Sequence, residues 1–192
     1  KIRISSRNVR GQASVKRYIC EPIQSTMRYA FTLLAIGLCT TLSLRAQDSG
    51  RQIPSVDIKA LNGSTFNTGS IENDGNPIII SFWATWCSPC KRELNNINDV
   101  YEDWVDETGV KVIAISIDDS RQVYKVAPYV QGKAWEFDVL LDTNGDFKRA
   151  MNVNNVPFTL LMDGNGKGVY EHNNYAAGDE DELYDLILEL VK

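Results

Sequence analysis

The sequence predicts an α/β domain with a mixed central β-sheet flanked by helices. Three observations predict it. Short β-branched runs, Ile78-Ile79-Ile80-Ser81-Phe82-Trp83 and Val110 to Ile117, read as strands buried on both faces. Segments of helical periodicity separate the strands, and Asp163-Gly164-Asn165-Gly166 near the C-terminus is a hairpin turn that makes the last strand pair antiparallel. Taken in order, the first strand follows the turn signals Gly75 and Pro77. A helix comes next: Pro89 suits a first helical turn, and Leu94, Ile97, Tyr101, Trp104 and Val105 recur at intervals of three and four until Gly109. Behind the second strand, Tyr124, Val126 and Val130 predict another helix. Phe137 to Leu141 is a short strand, and Phe147, Ala150 and Met151 mark a short helix. Pro157 to Met162 and Val169 to His172 are the hairpin arms. The last helix opens on the acids Asp179 to Glu182 and buries Leu183, Leu186, Ile187 and Leu190. No repeat, low-complexity tract or second domain interrupts this pattern.

Charge is distributed unevenly along the 192 residues. Residues 1–46 hold eight Lys/Arg against Glu21, whereas the remainder holds twelve basic and twenty-four acidic residues, a net −12. A domain so acidic argues against nucleic acid as a partner, because neutralising phosphate takes clustered Lys and Arg. The basic part reads as an address. From Met27 the chain runs through Arg28, an apolar stretch Tyr29 to Leu44, and Arg45-Ala46-Gln47, the order of a secretory signal and too short for a comfortable membrane span. The expected organisation is an untranslated or non-native upstream extension over 1–26, a signal peptide over 27–46 cleaved after Ala46, a short linker over 47–51 and the folded domain over 52–192. A periplasmic or secreted protein follows, anchored in the membrane if the leader stays uncleaved.

Of four cysteines, Cys20 and Cys39 lie in the leader, which leaves Cys87 and Cys90 in the domain. A structural staple gains most by closing a long loop, and this pair closes almost none. The spacing Cys87-Ser88-Pro89-Cys90 fits half a zinc site or a redox dithiol, and zinc would need further ligands where the domain offers His172 alone. A redox dithiol is the surviving reading, with no metal and no cofactor. Cys87 stands after a strand, at the mouth of a helix whose first N–H groups lack intrahelical partners and whose dipole favours negative charge, so its thiolate is stabilised. Cys90, one turn inside, is placed to attack a mixed disulfide at Cys87. Cys87 is therefore the expected nucleophile and Cys90 the resolving thiol, with Pro89 stiffening the turn between them.

The segment Ser81-Phe82-Trp83-Ala84-Thr85-Trp86-Cys87-Ser88-Pro89-Cys90-Lys91-Arg92-Glu93-Leu94 resembles the active-site signature of exported thioredoxin-like thiol–disulfide oxidoreductases, the group that includes cytochrome-maturation reductases such as ResA and TlpA. The likeness spans about residues 52–192 and takes in a leading Val56 to Ser64 hairpin and Asn155-Val156-Pro157-Phe158-Thr159. It implies a thioredoxin-like fold with Val156-Pro157 in cis, facing the dithiol. By the same resemblance the aspartate that cytoplasmic thioredoxins bury before the motif is replaced by Ser81. An acid after the next strand is implied instead, and Asp119 stands nearest that position; its competing reading is a helix cap.

Trp86 beside the nucleophile, Pro89, Val156, Pro157 and Phe158 are the expected substrate contacts, whereas Trp83 reads as core and His172 as a solvated edge-strand residue. The expected function is reduction of protein disulfides by a monomer, re-reduced by a membrane-linked electron donor because the chain carries no nucleotide or flavin motif. Two rival readings are a thiol peroxidase and a non-catalytic copper carrier. A thiol peroxidase resembles a Thr-x-x-Cys arrangement, and Ala84 occupies that Thr position; a copper carrier using Cys87 and Cys90 typically adds a His ligand.

Overall fold

Strands β1 (Asp57–Ala60) and β2 (Thr65–Asn67) form the leading hairpin in a computed structural model that describes residues 50–192. The leader, with its expected signal peptide, lies outside the described residues. There follow β3 (Ile78–Trp83), α1 (Ser88–Thr108), β4 (Lys111–Ser116), α2 (Val126–Lys133), β5 (Asp138–Leu141), α3 (Asp146–Ala150), β6 (Phe158–Met162), β7 (Gly168–Asn173) and α4 (Asp179–Leu190). One seven-stranded sheet runs β2-β1-β5-β4-β3-β6-β7. It is mixed: β3 pairs parallel with β4 and antiparallel with β6.

Side chains of β3 alternate across the sheet and so divide the core in two. Ile79 and Trp83 face the layer containing Cys90, Leu94, Ile97 and Trp104 of α1 with Leu183 and Ile187 of α4. Ile78, Ile80 and Phe82 face the other layer, with Phe147, Met151, Phe158 and Leu160. All six positions of β3 are buried, which is why its sequence is a continuous apolar run broken only by Ser81. Each fully buried aliphatic side chain is worth about 1.5–3 kcal/mol, so Leu94 and Ile97 alone pin α1 firmly to the sheet.

The ends of α1 follow its sequence. Cys87 is the N-cap, Pro89 lies in the first turn, and Gly109 closes the helix at φ 66°, its N–H donating to the Val105 carbonyl. Glycine takes that left-handed conformation without steric cost, and a Cβ there would also crowd the Asn76 side chain at 3.1 Å. One expected helix starts later than its pattern suggests. Residues 123–125 form a 3₁₀ turn, initiated where the Asp119 carbonyl accepts the N–H groups of Gln122 and Val123; Tyr124 is 69% exposed, whereas Val126 and Val130 are buried in the core.

Candidate active site

Cys87 and Cys90 form a disulfide between Cα atoms 5.4 Å apart. The Cys90 N–H donates to Cys87 Sγ at 3.3 Å, so the sulfur occupies the capping position of α1. An amide that lacks an intrahelical partner, aimed at this sulfur along the positive end of the dipole, favours the thiolate when the bond opens. Cys87 is 4% exposed and Cys90 fully buried, while Trp86 beside them stands 58% exposed. The outermost sulfur thus sits at the base of a projecting indole.

The loop carrying Trp86 is held from below. Asp118, 1% exposed, accepts the Thr85 N–H at 2.8 Å, the Thr85 hydroxyl at 2.6 Å and the Ser116 hydroxyl at 2.9 Å. A buried carboxylate with three donors is well satisfied and fixes the backbone two residues before Cys87. Its neighbour Asp119 has the opposite situation. The Asp119 carboxylate is exposed, receives Arg121 Nη2 at 2.7 Å and Nε at 3.0 Å together with the Arg121 N–H, and is held below the usual Asp range chiefly by those hydrogen bonds. The expectation that Asp119 supplies the buried acid is corrected accordingly: its side chain closes a surface turn.

A buried acid on the helix of the cysteine pair is Glu93. It lies three residues after Cys90, hence on the same face of α1, and is 4% exposed. Its Oε1 and the Thr159 hydroxyl are 2.5 Å apart; Thr159 Oγ1 in turn lies 3.3 Å from Ser81 Oγ, its opposite across the β3–β6 pair. Oε2 is buried without a hydrogen-bond partner. Burial pushes the carboxyl from 4.5 up to about 7, opposed by the Thr159 hydrogen bond and assisted by the charges of Asp179 and Glu180. Ser81 on the strand is thus linked through Thr159 to a buried carboxyl on the helix. A signal existed in the sequence: Glu93 is a charge between Cys90 and Leu94, inside the apolar stripe of α1, where solvated residues are not expected.

In the loop before β6, the Val156–Pro157 peptide is cis, Val156 is half-buried and Pro157 is buried. Phe158 does not join them. Successive side chains of a strand point to opposite faces, and Phe158 packs in the second core edge-to-face with Phe82, its ring covered by the Arg51 guanidinium 5.3 Å from the centroid. The expected substrate contact by this ring is thus replaced by a structural role. Trp83 is core, in T-shaped contact with Trp135. His172, expected as a solvated edge-strand residue, is paired: its Nε2 lies 3.0 Å from Asp179 Oδ2, and the neighbouring Glu180 accepts from Tyr175 and Asn96.

A profile of the AhpC/TSA family matches residues 49–171, which span both the cysteine pair and the cis-proline loop. The chain belongs to the AhpC/TSA family. Among curated relatives, the thiol–disulfide oxidoreductase ResA of Bacillus thuringiensis is 27% identical over 135 residues, 70% of this chain and 75% of that protein. ResA of Oceanobacillus iheyensis is 33% identical over 104 residues, 54% and 52% of the two chains. In solution structure, a thioredoxin-like protein from Porphyromonas gingivalis is 53% identical, with a TM-score of 0.66 over 72% of this chain and 91% of that one. This AhpC/TSA protein is a thiol–disulfide oxidoreductase with a thioredoxin-like fold, and its Cys-x-x-Cys pair is placed where that chemistry needs it.

Proposed function

We propose that the protein reduces disulfides of other proteins outside the cytoplasmic membrane. The observation that carries this reading is the Cys90 N–H donating to Cys87 Sγ at the mouth of α1, next to an exposed Trp86, with a buried Glu93 three residues further along the helix. In the dithiol form, the Cys87 thiolate attacks a substrate disulfide, a Cys87–substrate bond forms, and one substrate sulfur leaves with the electron pair. Cys90 passes its proton to the Glu93 carboxylate and, as thiolate, attacks Cys87 Sγ. The Cys87–Cys90 bond forms, the second substrate sulfur leaves as a thiolate, two electrons have moved to the substrate, and both substrate thiolates take their protons from solvent while the Cys90 proton is left on Glu93. A membrane-linked dithiol donor then reverses these steps.

Trp86, Pro89, Val156 and Pro157 form the docking surface. An extended substrate segment pairs with the Val156 backbone, so affinity rests on main-chain hydrogen bonds and specificity is modest. Export rests on the leader, and among the described residues no helix is long and apolar enough to cross a membrane. The test is insulin-disulfide reduction by the reduced protein, with Cys90→Ser trapping mixed disulfides on Cys87. Alkylation of Cys90 ahead of Cys87 reverses the two roles; peroxide consumption without disulfide reduction makes the protein a peroxidase instead.

A further inference from the structure

Glu93 needs a way to exchange its proton with solvent, since the carboxyl is enclosed by α1, β6 and α4. Beneath it lies a cavity of about 10 Å³ lined by Glu93, Thr159, Tyr170, His172, Tyr175, Asp179 and Glu180 among others. A site of roughly 10–15 Å³ is the smallest that holds one water, which then needs two to four polar partners. The lining meets that need. Glu93 Oε2 is buried without a protein partner, and a single water in this cavity would satisfy it.

The groups around the cavity differ in what they do with a proton. Tyr175 is pushed up to about 12 by burial and by its bond to Glu180, and burial also raises Tyr170, whose neighbours Glu182, Asp179 and Glu93 add to the effect. Both phenols keep their protons and act as donors. Glu180, despite the upward push of burial, is held below the usual range by the Tyr175, Asn96 and Gly178 hydrogen bonds and remains a carboxylate. His172 differs from these in carrying two ring nitrogens, one of which can accept a proton while the other donates one. Its Nδ1 lies 3.2 Å from the Tyr170 hydroxyl and its Nε2 3.0 Å from Asp179; the two side chains are 30% and 28% exposed. They thus touch the cavity on one side and bulk water on the other.

We propose that His172, paired with Asp179, is the proton port of the active site, connecting Glu93 to solvent through a single water. This rests on the reading of Glu93 as the acceptor for Cys90. During resolution the Cys90 proton moves to Glu93, then through the water to the imidazole of His172, and the imidazolium held by Asp179 releases it to bulk water. The departing substrate thiolate takes one from the same bulk, so protons balance. When the disulfide is re-reduced, the route runs inward and supplies the proton that Cys90 gains. Electrons travel only through sulfur.

The test is the rate of resolution, followed by stopped-flow tryptophan fluorescence between pH 6 and 8 in full-length His172→Ala, His172→Gln and Glu93→Gln proteins. His172→Ala is expected to slow resolution at pH 7 on the order of tenfold, less than the hundredfold typical of losing a positioned base itself, and added imidazole restores it. Gln keeps hydrogen bonds toward Tyr170 and Asp179 but carries no proton, so His172→Gln is expected to be as slow as His172→Ala. A wild-type rate in His172→Gln reduces His172 to a structural tie and overturns the port, as does His172→Ala running at full rate or ignoring imidazole. Slow Glu93→Gln beside fast His172 variants overturns the route alone. If Glu93→Gln also runs at full rate, the acceptor reading falls and the route with it.

Discussion

Two carboxylates frame this molecule, and they lie in contrasting places. Glu93 faces inward from α1 with one oxygen bonded to Thr159 and the other without a protein partner, and its ionisation is pushed up to about 7. Asp119 lies on the exposed turn after β4, clamped by Arg121 and held below its ordinary range. The same functional group keeps its proton up toward neutrality in the first setting and is a turn-forming anion in the second. What separates them is desolvation: burial disfavours the charged form, while an adjacent guanidinium favours it. Position relative to the sheet, not residue type or distance along the chain from the cysteines, assigns the chemistry.

The comparison sharpens most on stability in the oxidised protein. Glu93 has a folded pKa above its unfolded one, so the native state binds the extra proton between about pH 4.5 and 7, and the contribution of this group to stability falls as pH rises through that window. The full penalty, present above pH 7, is about 3 kcal/mol at 1.36 kcal/mol per pKa unit. Glu93→Gln is expected to recover most of it at pH 8 and to flatten the slope between pH 5 and 8 in urea titrations. An unchanged slope would break the contrast at its root. Next in size is the rate of resolution by Cys90 at pH 7: Glu93→Gln should slow it roughly a hundredfold, about 2.7 kcal/mol of barrier, while Asp119→Asn stays near wild type in the same stopped-flow assay. A comparable loss in Asp119→Asn would return the base to the loop.

Smaller again is the effect at Asp118, which shares a turn with Asp119 yet is buried under Thr85. Asp118→Asn turns an amide toward a donor and removes a charge-assisted bond, so thermal unfolding should report a loss of about 2 kcal/mol. Disulfide reduction should weaken with it, because the Thr85–Trp86–Cys87 backbone loosens. The least effect belongs to Asp119 itself. Its depressed pKa contributes stability above the ordinary Asp range that is lost as pH falls through the folded value. The pair is exposed, so Asp119→Asn should shift the acid-unfolding midpoint only slightly, and salt should erase the difference.

Sequence alone determined the elements and the place of the cysteine pair. The β-branched runs, the apolar stripe of α1, Pro89 and Gly109 at its ends and the Asp163–Gly166 turn are local patterns with local causes, so the order of strands and helices could be read before any contact was known. Placing Cys87 at a helix mouth needed only that strand-to-helix boundary. Which residues gather around the pair was decided in three dimensions. Thr159 reaches Glu93 because β6 lies beside β3 with Ser81 opposite Thr159, a register with no trace in either segment by itself. Phe158 turned away from the site because strand pleating gave alternate positions to opposite cores. His172, seventy-nine residues after Glu93 in the chain, lines the same cavity only because β7 and α4 close over α1. A pKa is fixed by what surrounds a group in space, and that enclosure forms when the distant segments pack.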